Sequence, residues 1–222
     1  SIHFLPPYRP EHRLRYESLL GIRSDRLDAY VSGALIRAVV QQRSYKSAAE
    51  VAELEAALED TARLHAYAQR HAVPGTTERE ILAGLRERVT AAGRKLSFTP
   101  TCSIHGEVLH NHTYENTLRE GDLLLVDAGA TSPKHYAGDV TRTTPVGGSF
   151  SDRQRALYDA VLAAQNAAID AMAPGVPFKD VHLLAARTLT EHLVDLGLMQ
   201  GDPDAAVAAG AHALFFPHGL GH

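Results

Sequence analysis

Apolar positions in this chain recur at two spacings. Over Ser47 to His71 and Thr77 to Gly93 they fall three and four apart, the period of an amphipathic helix. Around Leu123–Ala130 and Tyr136–Thr143 they run together or alternate, as in strands. Ser47-Ala-Ala-Glu50 is a capping box and predicts a long helix to about His71, with Val51, Leu54, Ala57, Leu58, Ala62 and Leu64 as its apolar face. Pro74-Gly75 stops it. Thr77-Glu-Arg-Glu80 repeats the signal for a helix with Ile81, Leu82, Leu85 and Val89 inward, ended by Gly93. Ser151-Asp-Arg-Gln154 caps a third helix through Met172, and Val176-Pro177 opens a fourth through Leu198, with Val181, Leu184, Leu189 and Leu193 inward. Asp202-Pro203-Asp204 opens a short Ala-rich helix. Strands are expected over Ser97–Ile104 and Ala213–Phe216 as well. Before Tyr45, Ile2–Pro7 reads as β or polyproline, and Arg23–Gln42 as a helix with Leu27, Tyr30, Val31, Ala34, Leu35, Ala38 and Val39 on one side. Helix pairs that flank a group of strands predict an α+β fold, mostly antiparallel, with helices outside.

One stretch breaks the ordinary logic of burial. Leu123-Leu124-Leu125-Val126 is an aliphatic run opened by Gly121-Asp122, and it ends on Asp127. Burial of a carboxylate is costly unless it is paired or bound to a cation. Thr131-Ser132-Pro133-Lys134-His135 can turn the chain back, and the return, Tyr136 to Thr143, carries Asp139. Neighbouring strands would hold the two carboxylates together, where they repel unless they share a proton or a cation. A strand-end turn with Gly129 and an ion pair to Arg142 are the plain alternatives. Further on, Pro217-His218-Gly219-Leu220-Gly221-His222 places two histidines four apart, and imidazole beside oxygen donors is ordinary transition-metal chemistry.

Composition narrows the setting. With 222 residues, 45% hydrophobic and 22% charged, the chain has the make-up of a soluble globular protein of one large domain or a domain and a fraction. A net charge of −4 offers no nucleic-acid footprint. The single cysteine, Cys102, excludes an internal disulfide and fits a reducing, cytoplasmic location. A lone Cys in a β context is expected to be buried packing rather than a nucleophile. No apolar run reaches the roughly 20 residues of a membrane span, and no signal-peptide pattern opens the sequence. Of the 13 histidines, His3, His12, His65 and His71 sit in strongly polar sequence and are expected at the surface, as are His105 and His135.

Asp127-Ala-Gly-Ala, Asp139-Val-Thr-Arg-Thr and Pro217-His-Gly-Leu-Gly-His222, in that order, resemble the signature of the pita-bread metallopeptidases. The likeness is in particular to the Xaa-Pro dipeptidases (prolidases), with Xaa-Pro aminopeptidases as near relatives, and runs from about Tyr45 to His222. Ser44–Glu50, Leu109-His110 and Ser151–Val161 add to it.

The resemblance implies a creatinase/aminopeptidase-like pita-bread fold, a curved and mostly antiparallel sheet backed by helices. Residues 1–45 would be the end of an N-terminal α/β domain with its linker, and residues 46–222 a catalytic domain whose C-terminal part lies outside the sequence. It assigns Asp127, Asp139 and His222 to metal, and His110 and His218 to substrate contact and catalysis. His112, two residues from His110, would share its side of a strand. Two divalent ions are implied, manganese first, with cobalt or zinc as alternatives, and further glutamate ligands beyond residue 222. The implied reaction is hydrolysis of Xaa-Pro dipeptides. Alternatives are an aminopeptidase acting on longer peptides and a non-catalytic binding module. The expected partners are a proline-containing dipeptide and a second copy in a homodimer, with neither nucleic acid nor membrane.

Overall fold

A computed structural model describes residues 2–221. In chain order the elements are α1 (Pro10–Leu20), a 3-10 turn (Leu27–Tyr30), α2 (Gly33–Ser44), α3 (Ala48–His71), α4 (Glu78–Ala91), β1 (Thr101–Ser103), β2 (Leu123–Ala128), β3 (Val140–Pro145), α5 (Asp152–Ala171), α6 (Phe178–Asp195), α7 (Pro203–Ala208) and a second 3-10 turn (Ala211–Leu214). The strands form one sheet in the order β1-β2-β3. Two compact units result. The first comprises Ser1–Ala66, Leu85–Pro100 and Asp127–Val140, and the second Tyr67–Gly84, Thr101–Val126 and Thr141–His222.

In the first unit, the capping box at the start of α3 forms as expected. Glu50 Oε2 accepts from the Ser47 amide at 2.8 Å, and Ser47 Oγ accepts from the Glu50 amide at 3.3 Å. The face of α3 that turns inward is the expected one in part, with Ala57 and Leu64 buried and Leu54 half-buried, but it is rotated toward Thr61 and His65. Val51, Leu58 and Ala62 are exposed, while Ala57, Thr61, Leu64 and His65 are buried. Two stripes of α3 carry similar apolar content. Thr61 and His65 face in because they meet the backbone of Ala130 and Ala128. Ahead of α3, the helix expected over Arg23–Gln42 is split. Ser32 caps α2 by accepting from Leu35 N at 3.2 Å, and Val31 is extended. Ser-Gly starts a new helix more readily than it continues an old one. Ile2–Pro7 forms no strand. α1 has Pro10 at its first position and Gly21 (φ 66°) at its end, the Pro-first, Gly-last asymmetry of helices.

In the second unit, the Thr77–Glu80 box opens α4, with Glu80 Oε2 accepting from Thr77 N at 2.7 Å. α4 runs on into the first unit, and Ile81, Leu82, Leu85 and Val89 are all buried, as their spacing predicts. Gly84 leaves room for the Tyr67 phenol, which occupies the place of a Cβ. α5 has both halves of its Ser151–Gln154 capping box. It packs on α6 through Ala168, Val181 and Ala185, with Leu220 against them. Asp202 caps α7. Two expected strands are corrected. Ser97–Ile104 shortens to β1, because Pro100 has no amide to give a ladder. Ala213–Phe216 is no strand. Gly210 (φ 76°) starts a 3-10 turn there, and Phe216 N bonds His212 O at 2.9 Å. Among the described residues no strand pairs with that segment, so its backbone bonds close locally.

Candidate metal centre

β2 alternates in burial. Leu124, Val126 and Ala128 are buried, and Leu123, Leu125 and Asp127 are half-buried. The chain returns in a tight antiparallel ribbon. Tyr136 O accepts from Ser132 N at 2.7 Å, Ala130 O from Gly138 N at 2.9 Å, and Asp122 O from Val146 N at 2.9 Å. These bonds share one register, in which Gly129 stands opposite Asp139. Asp127 lies two residues before Gly129 on the same strand. Asp127 and Asp139 therefore fall on one face as diagonal neighbours, a relation that sets Cα atoms about 7–8 Å apart. Asp127 is half-buried and Asp139 exposed.

One rung beyond Asp139, on the side of the turn, the ladder opens. In a regular ribbon Ala130 N would bond the Gly138 carbonyl. It bonds Thr61 Oγ1 of α3 instead, at 3.0 Å, and that hydroxyl donates to Ala57 O at 2.8 Å. Both glycines of the ribbon are required by this contact. A Cβ on Gly138 would overlap Thr61 Oγ1, and one on Gly129 would overlap Gly138 O. Gly129 O accepts from Ser97 N at 2.9 Å. His65 Nε2 reaches Ala128 O at 3.2 Å. A carbonyl can only accept, so Nε2 carries the proton. The peptides after Asp127 are thus each held by a group outside the ribbon.

The connecting loop is tied to the first turn of the same helix. Tyr136 donates to Glu50 Oε1 at 3.0 Å, and Lys134 Nζ lies 3.2 Å from Glu53 Oε1. The Glu50 carboxyl is held below the usual range, chiefly by the Ser47 amide and hydroxyl and then by Tyr136. Glu53 is lowered by the Ser132 hydroxyl first and then by Lys134. The Tyr136 phenol is raised by its bond to Glu50.

The candidate histidines belong to the second unit. His110 is exposed, in a segment of bends. No strand runs through it, so the expectation that His112 shares its side of a strand does not hold. The surrounding loop is nevertheless anchored. Buried Glu78 accepts from Ile104 N at 2.9 Å and Asn116 Nδ2 at 3.0 Å, and Asn111 Oδ1 accepts from Cys102 N at 3.1 Å. Cys102 is buried, and burial first, Glu78 second, push its thiol up to about 12. That removes it as a nucleophile. His218 is exposed, donates Nδ1–H to Gly219 O at 2.8 Å, and meets the Phe216 ring edge-on at 4.9 Å between centroids. His222 lies outside the described residues. Arg142 is exposed and donates to Thr141 O at 2.8 Å. His105 and His135 are exposed, as expected.

Four site-supporting residues escaped the reading of the sequence: Thr61, His65, Glu78 and Asn111. His65, expected at the surface from its polar neighbours, is buried. The spacing of Ala57, Thr61, Leu64, His65 and Ala68 was the available signal, a stripe at helical period beside a more apolar one. Among the described residues no three His, Cys, Asp or Glu side chains are grouped to hold a metal ion. What they do supply is an all-oxygen pair on one face. Such a donor set suits a hard divalent cation, so the residues present fit that group.

An α+β chain with two carboxylates on one face of an antiparallel ribbon, backed by helices, is of the pita-bread class. Residues 52–222 match metallopeptidase family M24, and the chain belongs to that family. It is 37% identical over 187 residues to an Xaa-Pro aminopeptidase of Escherichia coli (strain K12), covering 83% of this chain and 42% of that protein. It superposes on Pseudomonas aeruginosa aminopeptidase PepP with a TM-score of 0.82 at 31% identity, covering 96% of this chain and 50% of the other. Zinc-substituted Escherichia coli aminopeptidase P in complex with product gives 0.75 at 36% identity, over 79% and 40% of the two chains. The chain thus spans about half the length, or less, of these relatives. No helix among the described residues is long and apolar enough to cross a membrane.

Proposed function

We propose that this chain contributes Asp127 and Asp139 to a divalent-metal centre that hydrolyses Xaa-Pro peptide bonds. The observation that carries the reading is the shared face of the two carboxylates in a chain of a metallopeptidase family. The third ligand of this chain is His222, and two ions, manganese with cobalt or zinc as alternatives, are the proposed complement. A divalent cation supplies Lewis acidity and lowers the pKa of water.

The protein's own groups do the rest. Asp127 and Asp139 concentrate negative charge where a cation must sit, and the ribbon holds their backbone. His110 offers an exposed ring that can donate to a substrate carbonyl or to charge developing on it, and His218, whose Nδ1–H is taken by Gly219 O, presents Nε2 as an acceptor for a substrate N–H or O–H. The proposed substrate is a proline-containing dipeptide and the proposed assembly a homodimer in the cytoplasm. A second reading, an aminopeptidase on longer peptides, is supported by the names of the relatives above.

The test uses the longest natural form of the protein. Asp139→Ala should abolish manganese-dependent hydrolysis of Ala-Pro and of an Ala-Pro-Xaa tripeptide while the circular dichroism stays unchanged. Cleavage of the tripeptide but not the dipeptide by the unmutated protein selects the second reading. Undiminished cleavage by the variant after chelator treatment overturns both.

A further inference from the structure

We propose that Thr61 and His65 of α3 are positioning residues for the Asp127–Asp139 pair. They act by clamping the backbone of Ala128 and Ala130, which follow Asp127 and flank Gly129, the residue opposite Asp139. This rests on the reading that the pair receives a divalent cation.

Three observations within the first unit carry the inference. Thr61 Oγ1 takes the Ala130 amide at 3.0 Å, displacing the Gly138 carbonyl that a regular ladder would offer. His65 Nε2 takes the Ala128 carbonyl at 3.2 Å, one residue after Asp127. Both side chains are buried, at 0% and 5% exposure, so water does not compete for these bonds. Gly138, with no Cβ, is what lets the Thr61 hydroxyl approach.

The consequence is mechanical. Two like charges on one face push their backbones apart, and a free ribbon would relieve the repulsion by twisting. Here the twist is blocked on one strand by two side chains from a helix. The carboxylates are held in the arrangement a cation needs before the cation arrives, the role that outer partners play for metal ligands. The Thr61 hydroxyl is filled on both sides, donating to Ala57 O and accepting from Ala130 N, and so cannot swing away without loss of two bonds.

The test is manganese titration of the longest natural form of the protein, followed by paramagnetic broadening of amide NMR signals, which detects weak binding. Wild-type chain should show saturable broadening centred on the Gly129 and Asp139 amides. Thr61→Val keeps the shape and deletes the hydroxyl. It should weaken manganese binding about 10- to 100-fold, and Thr61→Ser should restore it. The Ala130 amide should exchange with solvent faster in the Val variant and not in the Ser variant. His65→Leu should weaken binding in the same sense and His65→Gln, which keeps a donor at similar reach, should recover it. The histidine pair also serves if Thr61→Val does not fold. Unchanged affinity in folded Thr61→Val or His65→Leu overturns the positioning role alone. Absence of saturable broadening at Gly129 and Asp139 in the wild type overturns the metal reading and the proposal with it.

Discussion

The ribbon that carries the carboxylates and the segments that carry the histidines are built on opposite plans. After Asp127, the peptides of Ala128, Gly129 and Ala130 are held from outside by His65, Ser97 and Thr61, and two glycines of the ribbon are packed closer than any side chain allows. Around His218, the contacts are local, to Gly219 and Phe216, and a Cβ on Gly219 would meet nothing. His110 stands between these extremes, an exposed ring on a loop whose base is anchored by buried Glu78. The difference follows from charge. Like charges must be restrained by covalent and hydrogen-bonded backbone, because their own interaction drives them apart. A ring with no like-charged partner beside it needs no such restraint and can sit on a lightly held segment.

The comparison can be broken most forcefully at the glycines. Gly138→Ala should destabilise by about 3 kcal/mol, the upper range for overpacking, because its Cβ would overlap the Thr61 hydroxyl and the Ala57 carbonyl region. Urea denaturation measures it, and a loss under about 1 kcal/mol would show that the ribbon is softer than its contacts suggest. Next in size is the loop anchor. Glu78→Ala leaves Ile104 N and Asn116 Nδ2 without their acceptor and should cost about 2 kcal/mol. Faster proteolysis between Ile104 and Asn116 should accompany it, and protection equal to wild type would place the His110 loop with the loosely held segments.

A smaller effect concerns pH. The folded Glu50 carboxyl lies below its unfolded value, so its contribution is whole above the ordinary carboxylate range and is lost as pH falls through the lowered value. Tyr136 is raised, so its contribution is present below the ordinary phenol value and fades as pH rises through the raised one. Glu50→Gln should bring the Tyr136 titration, followed by ultraviolet absorbance, back toward about 10. An unmoved phenol would show that the loop is held by Lys134 and Glu53 alone. Smallest of all, Gly219→Ala should change stability by less than about 0.5 kcal/mol, as open surface allows. A larger loss in thermal denaturation would mean the histidine segment is as constrained as the carboxylate ribbon.

The long amphipathic helices were legible because the capping boxes at Ser47, Thr77 and Ser151 and the apolar period agree, and local signals of that kind need no partner. The carboxylate pair was legible too. An aliphatic strand ending on Asp127 and a β-rich return bearing Asp139 announce an arrangement that burial alone does not explain. The strand expected at Ala213–Phe216 and the surface position expected for His65 failed for one shared reason. Whether a short apolar segment pairs as a strand, or which of two similar helix stripes faces inward, depends on what packs against it.

The sequence by itself determined the helix starts, the α+β class, the motif order of the metallopeptidase family and the chain reversal that puts Asp127 and Asp139 on one ribbon. These rest on spacing along one chain, which is fixed by covalent geometry. Only the tertiary structure decided that the Thr61 and His65 stripe of α3 turns inward, that the ladder opens at Gly129 and Gly138, and that helix side chains replace the missing strand bonds. Those outcomes join residues more than 60 positions apart, as in the Thr61 to Ala130 bond. At such separations the choice of partner is set by packing and by the need to satisfy every buried amide, and neither is written in local order.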